Sequence, residues 1–147
     1  MSKAADVMEI GSIMNYAFQE FARLSREAAA KAGSRSLYVE RGREYIAKHI
    51  YGKLLLPEIA GAAGLHPGYF SRIFAGQMGM TVMEYVMQEK VRVSCNLLKY
   101  SNQPIAVIAE YMNLSPQSYF TRIFKKVMGE TPARYRKTHA DKNFLES

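Results

Sequence analysis

One short string of residues occurs twice in this chain. Tyr69-Phe70-Ser71-Arg72-Ile73-Phe74, followed by Met78-Gly79 and Thr81, returns fifty positions later as Tyr119-Phe120-Thr121-Arg122-Ile123-Phe124, Met128-Gly129 and Thr131. Upstream, Ile59-Ala60, Leu65 and Pro67 return as Ile108-Ala109, Leu114 and Pro116 at an offset of forty-nine, so the second copy holds one extra residue between its proline and its tyrosine. Two copies cannot make a solenoid, which needs about three or more repeats to close a core. The repeat describes one small helical module used twice.

The grammar inside each copy says what the module is. A short apolar-periodic segment leads to a residue that tolerates positive φ, Gly64 or Asn113, and a second segment opens at a proline, Pro67 or Pro116. Proline suits the first position of a helix because the N–H it lacks would have no partner there, and Ser115 is a good N-cap before the second. The prediction is helix, tight turn, helix in both copies. In each second helix the apolar residues fall at i, i+3, i+4, as Phe70, Ile73 and Phe74 and again as Phe120, Ile123 and Phe124. The opposite side then carries Gly68, Ser71, Arg72 and Ala75 in one copy, and Ser118, Thr121, Arg122 and Lys125 in the other. A short helix held to a core on one side and presenting such residues on the other is what a DNA major groove accepts.

On these residues, positions 41–138 resemble the double helix-turn-helix DNA-binding domain of the AraC/XylS family of bacterial transcription regulators. The match takes in both helix pairs, the segment between them and the closing Gly129-Glu130-Thr131-Pro132-Ala133-Arg134-Tyr135-Arg136. The resemblance implies an all-α fold, two helix-turn-helix units joined by a long connecting helix, each unit a homeodomain-like three-helix subdomain. The first unit falls at about 56–80, the connecting helix at about 82–99 and the second unit at about 104–129. Residues 1–40 are then an amphipathic helix and linker, of a length that suits the end of an upstream sensor or dimerisation domain, and 139–147 a tail.

The resemblance also assigns sites. The family's base-contacting positions fall on His66, Gly68, Ser71 and Arg72 in the first unit and on Gln117, Ser118, Thr121 and Arg122 in the second. Arginine pairs bidentately with a guanine edge and glutamine with adenine, whereas serine and threonine are less selective. Lys125, Lys126, Arg134 and Arg136 are expected on phosphates, which position a protein without specifying sequence. For each arginine the alternative is a solvated charge or an ion pair to Glu110 or Glu130. One departure from the family pattern stands out: where the second copy has Lys125-Lys126, the first has Ala75-Gly76. Gly68 likewise offers no side chain, so the first unit is expected to be the weaker reader.

Charge follows the same division. Residues 1–40 hold five basic and five acidic side chains, and residues 41–147 hold fifteen and eight, which is the whole net charge of +7. A basic part joined to a neutral part suits a polyanion-binding module, although a merely basic soluble protein would look alike. The single cysteine, Cys95, excludes an internal disulfide and a structural zinc cluster, and its helical neighbours Val91 and Leu97 predict a small buried residue. His49 and His139 lack ligands at metal spacing. Met78, Met83, Met87, Met112 and Met128 fit helix-packing positions, and Tyr69 and Tyr119 are expected to pack beside the recognition faces.

Between these motifs the elements read plainly. Ile10, Ile13, Met14, Ala17, Phe18, Phe21 and Leu24 recur at helical spacing, and Gly33-Ser34-Arg35-Ser36 predicts a break. Tyr38, Tyr45, Ile46, His49 and Ile50 mark a helix bracing the first unit and ended by Gly52. Pro57 starts a short helix, Thr81-Val82-Met83-Glu84 fits a capping box, Pro104 opens the first helix of the second unit, and Thr131-Pro132 a closing one.

The function expected is a sequence-specific DNA-binding transcription regulator that reads two adjacent major-groove segments, with double-stranded DNA as partner. RNA polymerase and a second copy joined through the upstream region are the expected protein partners, in the cytoplasm at the nucleoid. The alternative is an adaptor that keeps the fold and acts on RNA polymerase or another regulator. Nothing points to an enzyme, a cofactor, a metal or a membrane: no nucleophile has a paired base, and no apolar run reaches membrane-spanning length.

Overall fold

The computed structural model describes residues 3–141, without the side chains of residues 3–18, 21, 25, 28 and 29. The described residues form helices and no strand. In chain order the helices are α1 (Lys3–Lys48), α2 (Leu56–Ala63), α3 (Pro67–Met78), α4 (Val82–Tyr100), α5 (Ile105–Tyr111), α6 (Gln117–Met128) and α7 (Pro132–His139). The chain divides into two compact segments, Met1–Leu37 and Tyr38–Ser147, and both helix-turn-helix units lie in the second.

The break expected at Gly33-Ser34-Arg35-Ser36 does not occur; α1 continues through it into what was expected to be a separate bracing helix. Glycine costs a helix only about 1 kcal/mol relative to alanine. A propagating helix, with no proline to remove a hydrogen bond, absorbs that cost. The expected apolar face of residues 10–21 lies outside the described side chains, and Leu24 is more than half exposed. The end of α1 and the turn after it do brace the first helix-turn-helix unit: Val39 and Ile46 are fully buried, and Ile50 in the turn nearly so.

Within Tyr38–Ser147 the sequence repeat is a repeat of structure. Gly64 (φ 82°) and Asn113 (φ 55°) hold the left-handed turns. Leu65 N–H donates to Ala60 O at 3.0 Å, and its counterpart Leu114 N–H donates to Ala109 O at 2.8 Å. Phe70, Phe74, Phe120 and Phe124 are fully buried. Each phenylalanine pair ends on a tyrosine from the following helix: Phe74 meets Tyr85 edge-on at 5.4 Å, and Phe124 meets Tyr135 edge-on at 5.5 Å. Thr81 and Thr131 cap those following helices alike, accepting from Glu84 N–H and Arg134 N–H; Thr81 and Glu84 complete a reciprocal capping box.

Helix α4 belongs to both units. Its first turns carry Tyr85 onto α3, and the helix also packs against α5, α6 and α7. Midway, Lys90 is 2% exposed, and its ammonium donates to Ile50 O (2.7 Å), Gly52 O (2.9 Å) and Met112 O (2.7 Å). Those carbonyls come from the turn after α1 and the turn between α5 and α6, so one charge ties both units to the connecting helix. Burial pushes its pKa down from 10.5 to about 8.

The methionines divide. Met112 is fully buried and Met78 and Met87 pack partly buried on the core, as expected, whereas Met83 and Met128 are exposed. Tyr69 is also exposed, while Tyr119 packs against the core. Cys95 is buried as expected, and burial pushes its thiol pKa up, away from reactivity.

Lys90→Met strands three carbonyls and should lower unfolding free energy in urea by at least about 2 kcal/mol; unchanged stability would make the ammonium dispensable. Between about pH 8 and 10.5 the unfolded chain retains the Lys90 proton that the folded chain releases, so wild-type stability relative to Lys90→Met should rise across that window. At Gly42 an added Cβ would overlap the buried Phe70 ring. Gly42→Ala should therefore destabilise by about 1–3 kcal/mol in the same assay, with Gly61→Ala, where a Cβ meets nothing, as the control.

Candidate nucleic-acid interface

Helices α3 and α6 are held to the core by one face each, which decides what the other face shows. On α3, burial of Phe70, Ile73 and Phe74 leaves Gly68, Arg72 and Ala75 exposed and Ser71 half-buried. On α6, burial of Phe120 and Phe124 with partial burial of Ile123 leaves Gln117, Ser118, Arg122 and Lys125 exposed and Thr121 half-buried. Ser118, Thr121, Arg122 and Lys125 stand at i, i+3, i+4 and i+7 and form one stripe. Each candidate group on a helix is thus brought together within its own unit.

The two helices start differently. His66 is the N-cap of α3, and its Nδ1 accepts from Gly68 N–H at 3.1 Å. At α6 the expected Ser115 cap does not form, and the expected first position, Pro116, lies one residue outside the helix. Pro116 is itself the N-cap, with ψ 172° in the extended region and no side-chain hydrogen bond. The extra residue of the second copy is absorbed here, so the helix begins at Gln117 and Ser115 stands too far upstream to reach its N–H groups.

The cations differ in their surroundings. Arg72 has no ion pair or hydrogen bond among the described residues, and Arg122 lies over the Tyr119 ring at 5.4 Å. Neither meets Glu110 or Glu130. Lys125 and Lys126 are exposed in the last turn of α6, where the helix dipole favours positive charge. Lys126, one residue round the helix from the stripe, borders a groove shared with Glu84 of α4. Arg134 is 79% exposed and 3.9 Å from Glu130, a loose surface pair of little strength.

Arg136 is different. Its Nε donates to Leu98 O at 3.1 Å and an Nη to Ser101 O at 3.3 Å, so the guanidinium caps the carboxyl end of α4. Burial lowers its pKa. A phosphate reaching this side chain would have to compete with two carbonyls. His139 stacks on Tyr135 at 4.3 Å, with Nδ1 3.8 Å from Glu130. Among the described residues no group of three or more His, Cys, Asp or Glu is placed to hold a metal ion. No described helix is long and apolar enough to cross a membrane.

Sequence reasoning passed over Lys90, Gly42 and Arg43, whose Nε donates to Tyr85 OH at 3.1 Å. Tyr85 and Tyr135 stand fifty apart, so the repeat itself marked them. A buried lysine and a glycine against a ring carry no local signal.

A family model described as a helix-turn-helix domain matches residues 59–138, more than half of the chain. AdaA of Bacillus subtilis, a bifunctional transcriptional activator and DNA repair enzyme, is 35% identical over 101 residues, 69% of this chain and 48% of that protein. The C-terminal domain of AraT, a response regulator from Geobacillus stearothermophilus, superposes with a TM-score of 0.68 at 31% identity, covering 73% of this chain and 89% of that one. A Chromobacterium violaceum regulator with an AraC-type DNA-binding domain gives a TM-score of 0.69 at 20% identity over 76% of this chain and 98% of its own. The chain belongs to the AraC/XylS family. It spans between a third and a half of the length of curated relatives it matches.

This AraC/XylS domain should lose stability when Arg136 is truncated. Two charge-assisted hydrogen bonds are removed, so Arg136→Ala should lower unfolding free energy by about 1.5–3 kcal/mol. Arg134→Ala should change it by less than about 0.5 kcal/mol. Urea unfolding of both variants decides it, and equal small effects would return Arg136 to the set of surface cations.

Proposed function

We propose that this chain is a sequence-specific DNA-binding transcription regulator whose α3 and α6 enter two adjacent major-groove segments on one side of a duplex. The observation that carries the reading is the pairing of two like-built helices on one shared strut. α4 is 19 residues long, about 28 Å at about 1.5 Å per residue. Successive groove faces lie about 34 Å apart, a separation that the strut and the width of the units suit. One protomer therefore carries both reading heads, where a single helix-turn-helix needs a dimer.

Base reading is assigned to His66, Gly68, Ser71 and Arg72 in the first unit and to Gln117, Ser118, Thr121 and Arg122 in the second. Lys125, Lys126 and Arg134 contact phosphate. Arg136 acts on the fold. Arg122 is the stronger reader of the two arginines, because the Tyr119 ring holds it and Thr121, Ser118 and Lys125 share its stripe. Arg72 stands beside Ala75 and Gly76 with no neighbouring cation on its helix. The domain has no catalytic role; it acts in the cytoplasm at the nucleoid and contacts RNA polymerase.

Mobility shifts on one selected duplex and one scrambled duplex test this. The chain should bind as a monomer, with affinity falling steeply as salt rises because phosphate contacts release counterions. Arg122→Ala should cost about 1–3 kcal/mol on the selected site, more than Arg72→Ala, each relaxing preference within its own half-site. Lys126→Ala should weaken both duplexes alike and flatten the salt dependence by about one counterion. Strict need for a two-protomer palindrome, or a larger loss for Arg72→Ala, would overturn the arrangement.

A further inference from the structure

Each helix-turn-helix unit has its own anchor on α4, and the two anchors lie toward opposite ends of that helix. Tyr85, in the first turn, meets Phe74 of α3 edge-on at 5.4 Å. In the last turn Lys99 Nζ lies over the ring of Tyr135, and that ring meets Phe124 of α6 edge-on at 5.5 Å. Lys90 stands between the anchors and serves both units at once. Ile50 O and Gly52 O come to its ammonium from the turn that braces the first unit, and Met112 O from the turn inside the second.

Three carbonyl oxygens turned toward one point repel each other, and a group with three N–H donors and a positive charge is what lets them converge. The same two backbone segments meet a second time at the surface, where the Tyr51 and Tyr111 rings, each about half exposed, stand 4.7 Å apart. A ring pair tolerates a range of separations, about 4.5–7 Å between centroids. Hydrogen bonds of 2.7–2.9 Å do not, so the ammonium and not the rings fixes where the segments sit. No carboxylate shares the charge. Glu89, its neighbour on α4, is paired with Arg92 at 2.8 Å. His49, Tyr51 and Lys53 after α1, with Glu110 and Tyr111 on α5, are the other titratable groups flanking these turns, and burial is what displaces the Lys90 pKa.

We propose that Lys90 is a positioning residue for operator choice: by holding one turn of each unit to a single point on α4, it sets the half-site spacing at which α3 and α6 enter their grooves together. This rests on the DNA-binding reading above. One base pair more or less between half-sites moves the second by about 3.4 Å and turns it by about 34°. A rigid junction accepts one spacing, and a loose one accepts its neighbours too. A neutral amine brings two donors and a lone pair to three oxygens, so one carbonyl is released and the tie between the units loosens. Tyr85 and Tyr135 still keep each unit on α4. The spacing preference is therefore present while the folded chain holds the Lys90 proton, below about pH 8, and declines as pH rises through that value.

Mobility shifts with the full chain test this on a duplex selected from a random pool and on two derivatives, with one base pair added or removed between the half-sites. At pH 7 and fixed salt the wild type should prefer the selected spacing by about tenfold or more. Lys90→Met, with helix content checked by circular dichroism, should keep less than about a third of that preference, because it binds the derivatives nearly as well as the selected duplex. From pH 7 to 9 the wild-type preference should fall toward the variant's, while the variant's stays flat. The wild-type pH series stands by itself should Lys90→Met fail to fold. A role in stability alone would lower affinity for all three duplexes by one factor, and that result overturns the proposal. So does a wild-type preference that is absent at pH 7 or unchanged at pH 9, with DNA binding intact in either case. No binding of any duplex by the wild type would overturn the DNA-binding reading and this proposal with it.

Discussion

The ammonium of Lys90 is where the two halves of the DNA-binding fold meet. Its three donors are matched by three carbonyls, and each of those belongs to a chain segment that has just left a helix or is about to enter one. A backbone carbonyl without a partner in the interior is unfavourable by roughly 1–3 kcal/mol, so one group satisfies both the turn after α1 and the turn after α5. Because that group sits midway along α4, the spacing of the two units is set at one point and transmitted by a continuous helix. The rest of the arrangement, including the presentation of α3 and α6, depends on that tie.

Around it the two units repeat their cores and differ at their surfaces. The cores share a phenylalanine pair, an edge-on tyrosine, a threonine cap and a left-handed turn. Close packing leaves little choice there, since a methylene more or less is felt throughout. The recognition faces have no such constraint. The second carries a stripe ending in Lys125 and an arginine steadied by a tyrosine ring, while the first carries small residues and a histidine. Equal scaffolds with unequal faces are suited to reading two different groove segments.

The basic residues of 41–147 are not one population. Arg136 serves the end of α4, Lys90 the junction, and Arg43 the ring of Tyr85, so part of the positive charge that suggested a polyanion is used inside the fold. Arg41, Lys48, Lys53 and Arg72 stay exposed before α6, and Arg122, Lys125, Lys126, Arg134 and Lys137 on and after it. Net charge thus pointed to the right class of partner for a reason that is only partly the right one.

The sequence by itself determined the module, its duplication and its local starts and stops. Phe70, Ile73 and Phe74 against Phe120, Ile123 and Phe124, the positive-φ sites Gly64 and Asn113, and the Thr81–Glu84 box are local rules of spacing and hydrogen bonding, and such rules act between residues close in sequence. Where two local rules competed, reading failed: Gly33–Ser36 looked like a break but lies in a helix that outweighs it, and one extra residue moved the α6 cap from Ser115 to Pro116. Only the tertiary structure decided the use of Lys90, Gly42 and Arg136. Each is defined by a partner about 20 to 40 positions away, and whether a charge meets solvent, a carbonyl or a ring is settled by packing between elements, which no periodicity along the chain records.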